Sequence, residues 1–259
     1  MTDQEAIKEF IEHITGIKGY SLNTIASYEK DILEFSDFLQ TEKMAAGLMK
    51  IRNERVCKNY ISYLSGKDYA ASSIHRKLSA LNSFYDFLLK EELIQTNFFE
   101  NVEAPKIPKR LPKIIKEEEV RMLFDVCDLE NKLGYRNYCL LGCLYGCGLR
   151  VSELCGMQIK DIDFNDRTIL IHGKGSKDRV VVMYEELAKA LKHYISTFRV
   201  ELLYLSRDET NRYVFLNKNG TQLTRVGVRK ILDKLVNDCG ETFHICLLYT
   251  SPSPRDMRR

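Results

Sequence analysis

Proline is scarce in this chain, and it is confined. The 259 residues hold five, at 105, 108 and 112 and again at 252 and 254. The bodies on either side of the first group are therefore free of the residue that most readily breaks helices and strands. Long apolar runs are missing too: none approaches the roughly 20 residues of a membrane span. Met1-Thr2-Asp3-Gln4-Glu5 has neither the basic nor the apolar block of a signal peptide. The expectation is a cytoplasmic protein without a membrane partner. Eight cysteines occur, but no Cys-x-x-Cys pair and no set of histidine partners. Cys139, Cys143 and Cys147 recur at helical spacing, which would suit a metal face or a row of buried free thiols. A reducing compartment favours the thiols, so no metal is expected. The formal charge of +3 is too small to imply nucleic acid by itself, and its distribution has to carry that argument.

What is present reads as helix. Thr2 with Glu5 three residues on is a capping box. It opens a helix with Ile7, Phe10, Ile11 and Ile14 on one face, ended by Gly16 and Gly19. Ser21 or Asn23 caps a second, carrying Ile25, Tyr28, Ile32, Phe35 and Leu39. A third spans about Glu54 to Leu64. A fourth follows Ser72-Ser73, with Ile74, Leu78, Leu81, Tyr85 and Leu88 as one stripe. No strand signal interrupts these four. His75, Arg76 and Lys77 lie off the stripe, where a basic cluster suits either a DNA backbone or plain solvent.

Residues 104–116 change character. Pro105, Pro108 and Pro112 alternate with Lys106, Lys109, Arg110, Lys113 and Lys116, giving a local charge of +5 with no acid. A stiff, extended, basic segment is a domain linker, running either along a phosphate backbone or through solvent. The predicted bounds are 1–103 for the first domain, 104–116 for the linker and 117–245 for the second domain.

In the second domain Glu117-Glu118-Glu119 suits the positive end of a helix. An apolar helix from Tyr138 to Tyr145 is stopped by Gly146 and Gly148, and a new segment begins at once. Arg150 therefore stands at a corner between two helices, where a guanidinium can be aimed at a phosphate. Downstream, the β-branched runs 168–172 and 179–183 flank Gly173-Lys174-Gly175-Ser176-Lys177-Asp178, a hairpin with Lys174 at its tip. A helix over about 184–205 and a strand over 213–216 are predicted next. Thr224 then caps a helix with Val228, Ile231, Leu232 and Leu235 inward and Arg225, Arg229 and Lys230 outward. That basic face fits a DNA groove or a charged surface.

The corner Tyr145-Gly146-Cys147-Gly148-Leu149-Arg150-Val151-Ser152-Glu153-Leu154, with the hairpin lysine 24 residues after the arginine, resembles the catalytic domain of tyrosine recombinases. These are the phage-integrase family, and the likeness is to the Xer type, over residues 2 to about 245. The resemblance implies a mainly α fold: a helical, SAM-like core-binding domain and an α-rich catalytic domain with a small antiparallel β-sheet. It implies site-specific recombination through a 3′-phosphotyrosine, with no cofactor. The partners would be double-stranded DNA in paired half-sites and further protomers in a dimer or tetramer. Arg150 would bind the scissile phosphate, Lys174 protonate the leaving oxygen and His244 assist. His75, Arg76, Lys77, Lys106, Lys109, Arg110, Lys177, Arg179, Arg225, Arg229 and Lys230 would contact DNA. Glu153 would support the corner.

One part departs from the family. Three residues after His244 the expected arginine is Leu247, and no second histidine follows. Residues 246–259 lack helical periodicity and read as a foreign tail. Tyr249 lies five residues after His244, too near to be the nucleophile. Two alternatives to a working recombinase stand beside it, a DNA-binding fragment of one and a repressor-like binder. The pairing of Arg150 with a hairpin lysine disfavours the second.

Overall fold

The computed structural model describes residues 1–16, 20, 22–106, 115–173, 178–206, 208 and 210–240. They belong to two compact units, residues 1–110 and 111–259. In the first, α1 (Asp3–Gly16), α2 (Leu22–Thr41), α3 (Arg55–Gly66) and α4 (Ala71–Lys90) are the four helices that the periodicity predicts. The capping box of α1 forms in full. The Thr2 N–H donates to Glu5 Oε2 at 2.6 Å, and the Glu5 N–H to Thr2 Oγ1 at 3.2 Å. Asn23 lies inside the first turn of α2, and the alternative cap, Ser21, lies outside the described residues. Phe10, Phe35, Tyr60, Phe84 and Tyr85 fill the core, and their rings meet largely edge to face.

The second unit contains α5 (Glu117–Asp125), α6 (Lys132–Leu141) and α7 (Val151–Gly156). Strands β1 (Ile162–Asp163), β2 (Thr168–Ile171) and β3 (Arg179–Val182) follow, then α8 (Glu185–His193), α9 (Arg199–Ser206) and α10 (Arg225–Asp238). The strands make one antiparallel sheet in the order β1-β2-β3, and Ile171 pairs with Arg179 at the hairpin's loop end. Ile169 and Ile171 point into a core shared with Leu140, Leu154, Leu187, Tyr194 and Leu232. Thr224 caps α10 as predicted, its Oγ1 accepting the Gly227 N–H at 3.1 Å.

Three predicted elements differ. The helix predicted from Tyr138 to Tyr145 begins earlier, at Lys132, and gives way to a π turn at Gly142–Gly146. The 184–205 helix is interrupted by a π turn at Tyr194–Phe198. Residues 213–216 are not a strand: only isolated bridges form, Gln158 with Tyr213 and Leu216 with Gln222. The carbonyls at the segment's two ends are claimed by two buried arginines. Arg199 Nε donates to Tyr213 O at 2.9 Å, and Arg136 Nη1 to Leu216 O at 3.0 Å. With both end acceptors taken by side chains and the Phe215 carbonyl accepting the Leu223 N–H, the segment has no continuous ladder to offer.

Candidate active site and nucleic-acid interface

The corner at Arg150 is built by a break in helical winding. After Leu141 the chain passes through a π turn, Gly142–Gly146, and Gly148 adopts φ +60° to redirect it. Gly146 is needed for a second reason: a Cβ there would come within 2.4 Å of the Tyr184 ring. The corner is thus seated on the residue that precedes α8.

Arg150 is the N-cap of α7. Its backbone N–H donates to Glu153 Oε2 at 2.8 Å, and its Nη1 to Glu153 Oε1 at 2.9 Å. The Arg150 side chain is 75% exposed while that of Glu153 is 7% exposed. The carboxylate therefore acts as a buried bracket for an outward guanidinium, the supporting role expected of it. Arg179 completes the bracket from β3, with Nη1 to Oε1 at 2.7 Å and Nη2 to Oε2 at 2.8 Å. Burial alone would raise the Glu153 carboxyl. The bonds from Arg179 and Arg150 outweigh it and hold the group at about 2. Glu153 is thus a fixed anion at all working pH values.

The other candidates separate. Lys77 is not off the apolar stripe but on it, between Ile74 and Leu78 at three- and one-residue steps. Its ammonium is buried, 3.1 Å from Asp31 Oδ1 and 2.7 Å from Glu34 Oε2, both on α2. An internal ion pair satisfies the charge there, so Lys77 offers nothing to solvent. The acids on α2 that call it inward were the signal in the sequence. Arg76 also pairs with Asp31 but leaves its side chain 46% exposed. His75 Nε2 lies 2.9 Å from Pro105 O. Lys106 is exposed, as are Arg225, Arg229 and Lys230 on the outer face of α10; Arg229 is tied only loosely to Asp233, at 3.7 Å. Arg179, a DNA-contact candidate on sequence grounds, spends its fork on Glu153. Lys109, Arg110, Lys174, Lys177 and His244 lie outside the described residues.

Sequence reasoning missed His172. It ends the β2 side of the hairpin, with Nδ1 3.0 Å from Asp178 Oδ2 and Nε2 3.4 Å from Asp161 Oδ1. Cys139 and Cys143, read as thiols or metal ligands, are buried free cysteines whose thiols burial pushes up, so they stay protonated. Among the described residues no group of three or more histidines, cysteines or carboxylates is placed to hold a metal ion. No described helix is long and apolar enough to cross a membrane.

Comparison with known proteins finds the same two parts. The phage integrase family profile matches residues 113–259, and the phage integrase N-terminal SAM-like domain matches residues 7–92. Tyrosine recombinase XerC of Bacillus pumilus is 39% identical over 242 residues, 93% of this chain and 79% of that protein. XerC of Bacillus subtilis is 36% identical over 239 residues, 92% and 78% of the two chains. In fold, the chain is similar to the Tn1549 transposon integrase solved with transposon right-end DNA. That likeness has a TM-score of 0.67 at 18% identity, over 95% of this chain and 80% of the other.

Proposed function

This chain belongs to the phage integrase family of tyrosine recombinases, and on that footing we propose that it acts on duplex DNA as a site-specific recombinase protomer in the cytoplasm, with Arg150 as its phosphate-binding residue. The single observation that supports the role of Arg150 is the bracket beneath it. A buried carboxylate holds both its backbone and one guanidinium nitrogen, while the rest of the fork faces outward. A preorganised cation of this kind stabilises charge that develops on the non-bridging oxygens during phosphoryl transfer.

In the family's reaction, a tyrosine oxygen supplied by residues that these 259 do not contain attacks the scissile phosphorus, and the P–O5′ bond breaks. Lys174 gives a proton to the departing 5′-oxygen, and His244 assists proton transfer and orients the phosphate. The 3′-phosphotyrosine conserves the phosphodiester energy, so rejoining runs the same bonds in reverse without ATP. The basic segment Lys106, Lys109 and Arg110 and the exposed α10 row Arg225, Arg229 and Lys230 meet the duplex. Paired half-sites recruit two or four protomers. The 259 residues themselves bind DNA without forming a covalent bond to it, since Leu247 stands where the second arginine belongs and Tyr249 is too near His244.

The test uses a version of the chain extended with the family's second arginine, second histidine and tyrosine. Arg150→Ala and Lys174→Ala should each remove most cleavage and leave half-site binding nearly intact, because transition-state stabilisers add little to ground-state affinity. Equal losses of binding and cleavage would make both residues mere DNA contacts.

A further inference from the structure

One cluster of titratable groups near this corner has no part in that chemistry. His172 directly follows β2 and Asp178 directly precedes β3, so they face each other at the loop end of the hairpin. Asp161, from the turn Ile159–Asp161, approaches the other ring nitrogen. The Asp161 side chain is only 4% exposed, and its Oδ2 accepts the Gln158 N–H at 2.9 Å, which leaves Oδ1 aimed at the ring.

Two carboxylates on two ring nitrogens decide the protonation state of this arrangement. A neutral imidazole has one N–H and one lone pair. Either tautomer would turn that lone pair on an anion, and only the imidazolium donates to both. A third acid, Glu153 of α7, lines the same cavity of ≈ 80 Å³, but Arg150 and Arg179 already meet its charge. The other residues lining it, Ser152 and Gly156 from α7, Met157 just after it, and Leu170 and Ile171 from β2, are uncharged. Asp178 and Asp161 are thus the acids left to answer His172 among the described residues.

We propose that His172, as an imidazolium, is a positioning residue that clasps the root of the β2–β3 hairpin to the Asp161 turn, so that the strand ends from which Lys174 is presented are held only while the ring is charged. The inference rests on the reading that Lys174 works from this hairpin. Asp178 first and Asp161 second raise the imidazole above its ordinary value. A raised folded value means the clasp is fully present below the ordinary histidine range, near 6.5, and is lost as pH rises through the folded value. Recombination should therefore weaken on the alkaline side through loss of geometry, with no proton passing through His172.

The test is made on the 259-residue chain by ¹⁵N NMR of the imidazole and hydrogen exchange of the Ile171 and Arg179 amides across neutral pH. The ring is expected to titrate above free histidine, with both nitrogens protonated on the acid side. Amide protection, corrected for base-catalysed exchange, should fall about two- to fivefold as the ring loses its proton, the scale of an exposed ion pair. His172→Gln should hold protection at the lower level at every pH, and Asp178→Asn should move the titration down. A ring that titrates like free histidine, or the same pH dependence in His172→Gln, would overturn the clasp. Lys174→Ala in the extended recombinase separates the two readings: cleavage that survives it removes the role of Lys174 while the titration of His172 still stands or falls by itself.

Discussion

Arg179 and Glu153 form a two-pronged ion pair, 2.7 and 2.8 Å, that joins β3 to the first turn of α7. Through it the sheet that carries the hairpin and the corner that carries Arg150 share one anion. Parallel N–H bonds to a carboxylate fix orientation as well as distance, so the pair sets the angle at which Arg150 leaves the surface.

Glu153→Gln should lower stability by about 1–3 kcal/mol at neutral pH, the scale of the charge-assisted hydrogen bonds its buried carboxylate makes to two partly exposed arginines. The folded carboxyl, at about 2, lies below its ordinary value, near 4.3. Its contribution is therefore present above the ordinary value and is lost as pH falls through about 2. Thermal melting of both proteins should give a gap that is constant down to pH about 5 and then narrows on further acidification. A gap that widens in acid would reverse the assigned sign.

Lys77 and Arg76 are neighbours with opposite expected effects. Lys77→Met leaves the buried Asp31 only the half-exposed Arg76 and takes from Glu34 the ammonium it pairs with, and should cost up to about 3–5 kcal/mol in urea unfolding. The protein that remains folded should bind a half-site as well as before. Arg76→Ala leaves Asp31 paired with Lys77, so stability should change by less than about 1 kcal/mol while DNA affinity falls. Fluorescence anisotropy beside the unfolding curves reads both effects, and a loss of affinity confined to Lys77→Met would exchange the two roles.

Binding to duplex DNA should weaken steeply with salt, because each phosphate neutralised releases counterions. Replacing Lys106, Lys109 and Arg110 by glutamine should reduce the log–log slope by roughly one for each phosphate contact removed. An unchanged slope would place that segment in solvent rather than along the backbone.

A nicked half-site that traps covalent intermediates should give no protein–DNA adduct with the 259-residue chain on a denaturing gel. Without a positioned nucleophile the covalent step has no route. An adduct, abolished by Tyr249→Phe, would make Tyr249 the nucleophile.

Local pattern was enough for everything that depends on spacing along one element. The capping box of α1, the cap of α10, the four apolar stripes of the first unit, the glycine-terminated corner and the hairpin strands could all be read directly. Each is decided by neighbours within a few residues, where helix and strand periods apply. The residues that mattered across elements could not be read that way. Lys77 looked like a surface cation until α2 brought Asp31 and Glu34 against it, and Arg179 looked like a DNA contact until α7 brought Glu153 under β3. Residues 213–216 have a strand's composition, but Arg199 and Arg136 take the carbonyls at their two ends. His172 carried no signal at all, since its two carboxylates come from 11 residues before and six after. A charge in water costs little and can face anywhere, whereas a buried or bridging charge must find its partner. Only the tertiary fold decides which charges are of the second kind.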